Sequence, residues 1–265
     1  MNSDPTPEFA VASLGALRMR ASWHSEDLHS SLHNRLFWIT RGTARHSVNC
    51  VTRGYGPNTA IFVPPATMFS IELPAQVQGL MLQMPADPYL RLPEASLLLR
   101  ISQIESQGML TGYIDNIERE IAAAAPAMDR ALAGHSLLIS TWIERMLARY
   151  GNAQTRNKAH LLVENFASLM ENQFRQGHSV ADFAALLGVT PTHLSRVCRS
   201  AAGRPAHALL TERLTSEARR LLADTKMSAK DIADYLGYSS PAYFTRAFSQ
   251  ESGKTPSAFR AGLAA

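Results

Sequence analysis

Two arginines in matching places, Arg196 and Arg246, carry the clearest chemistry in this chain. Each closes one copy of a segment that occurs twice, about fifty residues apart. The first copy runs Asp182-Phe183-Ala184-Ala185-Leu186-Leu187-Gly188, then Val189-Thr190-Pro191, then Thr192-His193-Leu194-Ser195-Arg196. The second runs Asp231-Ile232-Ala233-Asp234-Tyr235-Leu236-Gly237, then Tyr238-Ser239-Ser240-Pro241, then Ala242-Tyr243-Phe244-Thr245-Arg246. A guanidinium on an exposed helix face can pair bidentately with guanine O6 and N7, worth about 1–3 kcal/mol of base discrimination. Thr192 and Ser195 share that face with Arg196 in the first copy, and Arg199 follows one turn on. Their short side chains suit a thymine methyl or a water-mediated contact. In the second copy Ala242, Tyr243 and Thr245 flank Arg246; Ala242 offers only a methyl, so this copy is expected to read sequence less strictly. A phosphate contact is the competing use of either arginine, and packing is a further one for Arg246. Leu194, Val197, Phe244, Ala247 and Phe248 fall on the opposite side and read as core.

These side chains need a frame. Each copy has the form of a short amphipathic helix, a glycine turn and a second helix opened by a hydroxyl residue and proline. That is the layout of a helix-turn-helix, whose second helix enters the DNA major groove. Gly188 and Gly237 supply the left-handed backbone that ends each first helix. Thr190 and Ser240 are N-cap candidates, with Pro191 and Pro241 at the first helical position. Ser179 with Asp182 caps the first unit. Between the copies, Pro205 to Asp224 lacks internal glycine or proline, with Leu209, Leu210, Leu214, Leu221 and Leu222 on one side. Twenty helical residues span roughly 30 Å, close to the roughly 34 Å repeat of B-DNA. One protomer is thus expected to read a long, asymmetric site. Another helix, over residues 158–175, turns Leu161, Leu162, Phe166 and Met170 inward.

The first half differs. From Leu14 to Gln83, short β-prone runs alternate with turn residues: Arg35–Thr40, Ala60–Val63, Met68–Leu73 and Gly79–Met84. They suggest an antiparallel sandwich or barrel. Helical spacing follows Pro93, in Ile114, Ile117 and Ile121 and then in Leu137, Leu138, Trp142, Ile143, Met146 and Leu147. These predict two helices forming a hairpin against the sandwich or a dimer seam. The 265 residues are 46% hydrophobic and 18% charged, the balance of packed globular domains. From Arg156 onward there are 14 Lys and Arg against 9 Asp and Glu, whereas residues 1–155 hold 12 against 13. Positive charge gathers where phosphates would be met. Acids and prolines in residues 1–8 and short apolar runs lead to the expectation of neither a signal peptide nor a membrane span. Two cysteines, Cys50 and Cys198, give no disulfide framework. A soluble, cytoplasmic protein is expected.

The residues about 157–262 resemble the AraC/XylS family of bacterial transcription regulators. The resemblance rests on Ile232-Ala233, Leu236-Gly237-Tyr238, Tyr243-Phe244-Thr245-Arg246, Phe248, Gly253, Thr255-Pro256 and Phe259-Arg260. It extends through Ala184, Leu187-Gly188, Leu194-Ser195-Arg196, Gly203-Arg204-Pro205, Arg213-Leu214, Ala218 and Leu221-Leu222. It implies a seven-helix module with two helix-turn-helix units, promoter binding, and an activator that contacts RNA polymerase. It further implies a cupin-like sensor in the first half. Of a cupin metal site only Gly42 to His46 remains; the paired histidine and the glutamate are missing, and no histidine follows Pro64-Pro65. No metal, cofactor or catalytic residue is therefore expected. His33, Arg35, Trp38 and Arg45 are candidates to line an effector pocket.

The expected architecture is α+β in two domains: a cupin-like antiparallel β-sandwich with a helical hairpin, then an all-α module with two helix-turn-helix units. The boundaries are a flexible arm over 1–12, a sensor over 13–92, a helical dimerisation region over 93–150, a linker over 151–157 and a DNA-binding domain over 158–265. The expected function is a sequence-specific, effector-responsive regulator, a homodimer on double-stranded promoter DNA. A metal-dependent cupin oxygenase fused to a DNA-binding module and an architectural DNA binder are the alternatives.

Overall fold

The computed structural model describes residues 8–19, 23–153 and 157–263. The chain opens with β1 (Ala10–Ser13), α1 (Leu14–Met19) and α2 (Trp23–Glu26). Strands β2 (Asn34–Arg41), β3 (Ala44–Val48), β4 (Val51–Tyr55), β5 (Thr59–Val63), β6 (Phe69–Ile71), β7 (Gln78–Met84) and β8 (Leu97–Arg100) follow. Among the described residues they make two antiparallel sheets, one ordered β1-β7-β2-β5-β8 and one β4-β3-β6, and no closed barrel. Of the arm assigned to residues 1–12, the first seven residues lie outside the described ones. Ala10 onward is no arm, because it pairs with β7 in the register Ala10↔Gln83 to Ser13↔Leu80.

Alternate residues of the larger sheet serve two cores. Phe37, Ile39, Ile61, Val63 and Met81 meet Val48, Tyr55, Phe69 and Ile71 of the smaller sheet and fill the sandwich. Leu36, Trp38, Ala60, Phe62 and Leu82 point the other way, toward α3 (Ile104–Ala123) and α4 (Met128–Tyr150). Burial on both faces explains why these strands read as continuous apolar runs and not as alternation. The helical hairpin thus covers a sheet, with Trp38 Nε1 donating to Thr111 Oγ1 (3.0 Å) and Trp142 Nε1 to the Ser106 carbonyl (3.0 Å).

Two expectations change here. Strand β8 lies inside the region read as purely helical, since Leu97-Leu98-Leu99 has no period to separate strand from helix. On α4, Leu137 and Leu138 are exposed while Leu132, Ile139, Trp142, Ile143 and Met146 face the sheet. The start of the linker is pinned as well. Asn152 accepts from Leu98 N (3.1 Å) and the Ala153 amide donates to the Leu98 carbonyl (2.9 Å), whereas residues 154–156 lie outside the described residues.

The C-terminal half is helical: α5 (Lys158–Gln173), a 3-10 turn at Phe174–Gln176, α6 (Val180–Leu186), α7 (Pro191–Ala202), α8 (Ala206–Asp224), α9 (Ala229–Tyr235), α10 (Pro241–Ser252) and α11 (Pro256–Ala261). Phe166, Met170, Phe183, Leu194, Leu209, Leu221, Ile232, Phe244 and Phe248 share one buried cluster. On α5 the inward place expected for Leu161 belongs to Val163, and Leu161 is half exposed. No helix among the described residues is long and apolar enough to cross a membrane.

Candidate nucleic-acid interface

The first unit is built from its caps. Ser179 and Asp182 exchange hydrogen bonds at the start of α6, with Asp182 N donating to Ser179 Oγ (3.3 Å) and Ser179 N to Asp182 Oδ2 (2.8 Å). The Ser179 hydroxyl also donates to Asp182 Oδ2 (2.7 Å), and this bond with that from the Ser179 amide holds the Asp182 carboxyl below the usual range. Gly188 turns the chain at φ 68°, and Thr190 Oγ1 accepts from His193 N (3.2 Å) to open α7 behind Pro191. Leu194, Val197, Cys198 and Ala201 are buried, which leaves Thr192, Arg196 and Arg199 exposed and Ser195 half-buried on the outer face. Arg196 Nη2 donates to His193 Nδ1 (3.1 Å), so the histidine one turn earlier braces the arginine.

The second unit repeats the design. Ser228 and Asp231 form an identical capping box, a Ser-x-x-Asp signal that sequence reading used only in the first copy. Gly237 turns at φ 74° and Ser240 Oγ accepts from Tyr243 N (3.2 Å). On α10, Ala242, Tyr243 and Arg246 are exposed and Thr245 is half-buried. The Thr245 hydroxyl donates to the Pro241 carbonyl (2.9 Å), and the Tyr243 ring leans on Tyr238 at 5.8 Å. Behind them Phe244, Phe248 and Phe259 stack in series at 5.8 and 5.6 Å. Arg199 and Arg246 make no ion pair among the described residues, so their guanidiniums are available to an outside anion or base.

Helix α8 joins the units, and its polar residues Glu212, Arg213, Thr215, Ser216 and Glu217 are interior. Arg213, only 2% exposed, donates to Glu171 (2.7 and 3.0 Å) and to Glu217 (3.4 Å). Burial would raise the Glu217 carboxyl, but the Arg220 hydrogen bond and the charges of Arg213, Arg220 and Arg175 bring it below the usual range. Arg260 of α11 closes the far end of α8, donating to the carbonyls of Leu222 (3.0 Å) and Thr225 (3.3 Å). Sequence reading missed Glu212, Arg213 and Glu217 as a buried network, since only partners distant in the chain reveal it.

A helix-turn-helix domain family matches residues 183–262. The probable transcription factor PqrA of Proteus vulgaris is 31% identical over 104 residues, covering 38% of this chain and 85% of that protein. The chain belongs to the AraC-type helix-turn-helix family. The virulence regulon transcriptional activator VirF of Yersinia enterocolitica is 34% identical over 97 residues, 37% of this chain. The matched region spans only 36% of VirF's own length. Among solved structures, an apo form of ToxT from Vibrio cholerae is similar over 97% of this chain and 98% of its own, with 15% identity and a TM-score of 0.46.

The AraC-type module is held against the first half of the chain by a plug and a clasp. The β3–β4 hairpin turns through Asn49 (φ 48°) and Cys50 (φ 59°), a pair of left-handed residues at a two-residue turn. Cys50 at its tip, with Val51, Leu28 and Met68, is buried in the helical module's own core cluster, and burial raises the Cys50 thiol. Around this plug Arg219 pairs with Asp27, Leu28 N donates to Glu212 (3.2 Å), Ser30 donates to Glu171, and Arg53 lies 4.0 Å from Glu164. Beside it a cleft of about 610 Å³ separates the smaller sheet from the α7–α8 corner, lined by Arg45, Ser47, Ser70, Glu72, Arg204 and Glu212.

The four residues considered for an effector pocket do not converge. Arg45 lines that cleft and pairs with Glu72 (3.0 Å). His33 borders a separate hollow with Leu32, Pro85 and Asp87. The Arg35 guanidinium lies over the Phe69 ring at 5.3 Å, and Trp38 packs under α3.

Proposed function

We propose that this chain is a sequence-specific, promoter-binding transcription regulator that acts as an activator. The observation that carries the reading is the pair of capped helices, α7 and α10, whose arginines stand on exposed faces over fully buried backs. The name of VirF supports activation, and RNA polymerase is the partner this implies. Lysines and arginines of the helical module supply salt-dependent affinity for phosphates, while base edges are read from α7 and α10. The first half serves as a cupin-like sensor for a small molecule, and the interdomain cleft is where such an effector would touch both halves. Exposed Met109, Leu137 and Leu138 on α3 and α4 suit a second copy of the chain, giving a cytoplasmic homodimer. No catalytic role is assigned.

Arg196→Ala tests base reading. Loss of one bidentate guanine contact costs about 1–3 kcal/mol on the cognate site and little on random duplex. Equal loss on both, measured by fluorescence anisotropy at fixed salt, would reassign Arg196 to a phosphate.

A further inference from the structure

The turns of the two helix-turn-helix units are alike in backbone and unlike in surroundings. A methyl group added at Gly188 would meet nothing within 4 Å. At Gly237 it would lie 2.5 Å from the Gly177 amide nitrogen and 2.6 Å from the Arg175 carbonyl. The turn of the second unit therefore rests directly on the chain entering the first. Arg175, in the 3-10 turn at that entry, extends its side chain across the same junction. Its guanidinium lies 4.8 Å from the Phe174 ring centre and 5.0 Å from that of Tyr235, the last residue of α9. The same group is 3.3 Å from Glu217 of α8, a carboxylate only 6% exposed. One side chain thus touches the entry to the first unit, the connecting helix and the first helix of the second unit.

Both units pack on α8 through one shared buried cluster, and helix packing of this kind admits a spread of about 15–20° in crossing angle. Backbone packing at Gly177 and Gly237 with a flat cation held by two rings and a carboxylate adds a second point of attachment. Two attachments fix an angle that one leaves free. We infer that Arg175 is a positioning residue that locks the two helix-turn-helix units into one rigid reader, so that the chain accepts a single spacing between its two DNA motifs. The inference rests on the DNA-reading function proposed above. One added base pair shifts the second motif by about 3.4 Å and turns it by roughly 35°. A rigid reader cannot follow that change, whereas a pivoting one can.

The test is selection of bound duplexes from a random library with the purified full chain, followed by affinity measurements on the selected site lengthened or shortened by one base pair. The wild type should enrich two motifs at one spacing and bind the altered spacings roughly tenfold or more weakly, the loss of about one bidentate contact. Arg175→Gln, and separately Tyr235→Leu, should bind the parent site within about threefold and reduce the spacing penalty to about threefold or less. Circular dichroism melting establishes that each variant is folded, and the second variant decides the matter should the first not fold. Arg175→Lys, which keeps the charge on Glu217 without a flat group for the rings, should fall between. A folded Arg175→Gln or Tyr235→Leu with the full wild-type penalty would overturn the lock, as would a wild type indifferent to spacing. Absence of any enriched motif would instead remove the DNA-reading function itself, and the lock with it.

Discussion

Removing Arg219 should undock the two halves of the chain without unfolding either. Its guanidinium pairs with Asp27, and the two side chains are 13% and 17% exposed. Burial leaves the Asp27 carboxyl above the usual range even with Arg219 beside it, so the docked carboxylate is under-solvated already. Truncating one partner of a fully buried pair costs about 3–5 kcal/mol. With this much residual exposure, screening reduces the figure to roughly 2 kcal/mol. That corresponds to about a thirtyfold fall in the ratio of docked to undocked chain.

The two cysteines provide the assay. Cys50 is fully buried only because its hairpin tip inserts into the helical module, whereas Cys198 belongs to that module's own core. Both thiols resist ionisation, Cys50 through burial and Cys198, pushed up to about 12, for the same reason. In Arg219→Ala, labelling of Cys50 by a maleimide should accelerate about thirtyfold, and Cys198, which the tip covers, should become more reactive with it. Peptide mapping separates the two sites. Adding Asp27→Asn should restore part of the protection, because the stranded charge is gone. Loss of the helical circular dichroism signal would mean unfolding, and unchanged labelling of Cys50 in a folded variant would refute the reasoning.

Substitution at the two turn glycines should separate backbone strain from contact. Gly188→Ala meets only the left-handed penalty, about 1–2 kcal/mol, whereas Gly237→Ala also drives a methyl into Gly177 and should cost at least about 1 kcal/mol more in urea unfolding; equal losses would show that the contact is not made. His46, 3% exposed, is depressed to about 4 by burial and then by the Arg53 charge, the Arg53 backbone opposing. A base depressed in the fold contributes stability above its ordinary value of 6.5 that is lost as pH falls toward 4, so the first half of the chain should weaken across that window. An imidazole titrating near 6.5 by NMR would contradict the burial.

What the sequence made legible was local. Ser179, Thr190 and Ser240 announce helix starts because capping is settled within three residues, and Gly188 and Gly237 announce turns because only the backbone there matters. The two-sheet first half was visible in outline from Arg35–Thr40 and Ala60–Val63, since β-rich runs between prolines and glycines have few other uses. The remainder depended on partners far along the chain. Leu97-Leu98-Leu99 became a strand only because β5 offers an edge, in the register Thr59↔Arg100 to Phe62↔Leu97. Glu212, Arg213 and Glu217 look like a solvated helix face until Glu171, Arg204 and Leu28 are brought to them. Cys50 follows an Asn in a two-residue turn whose second place usually holds glycine, and nothing nearby in sequence reveals the helical core that encloses it.

The docked arrangement restricts how the first half can act on α7 and α10. The hairpin tip meets α7 from the side of Cys198, and Thr192, Arg196 and Arg199 remain exposed on the opposite side. Docking therefore does not cover the reading face of α7, and release of the plug would not uncover it. The clasp instead falls on α8, through Glu212 and Arg219. Between those two residues lies Glu217, which receives Arg175 at the junction of the units. Seven residues of helix span about 10 Å, so the contacts to the first half and the contact at the junction of the two units share one short stretch of one helix. A rotation or shift of α8 imposed at Asp27 and Leu28 must be felt at Arg175, where the angle between α7 and α10 is held. On the function proposed above, that shared helix makes control by orientation the expected mode, because the exposed faces of α7 and α10 stay open whether or not the plug is docked.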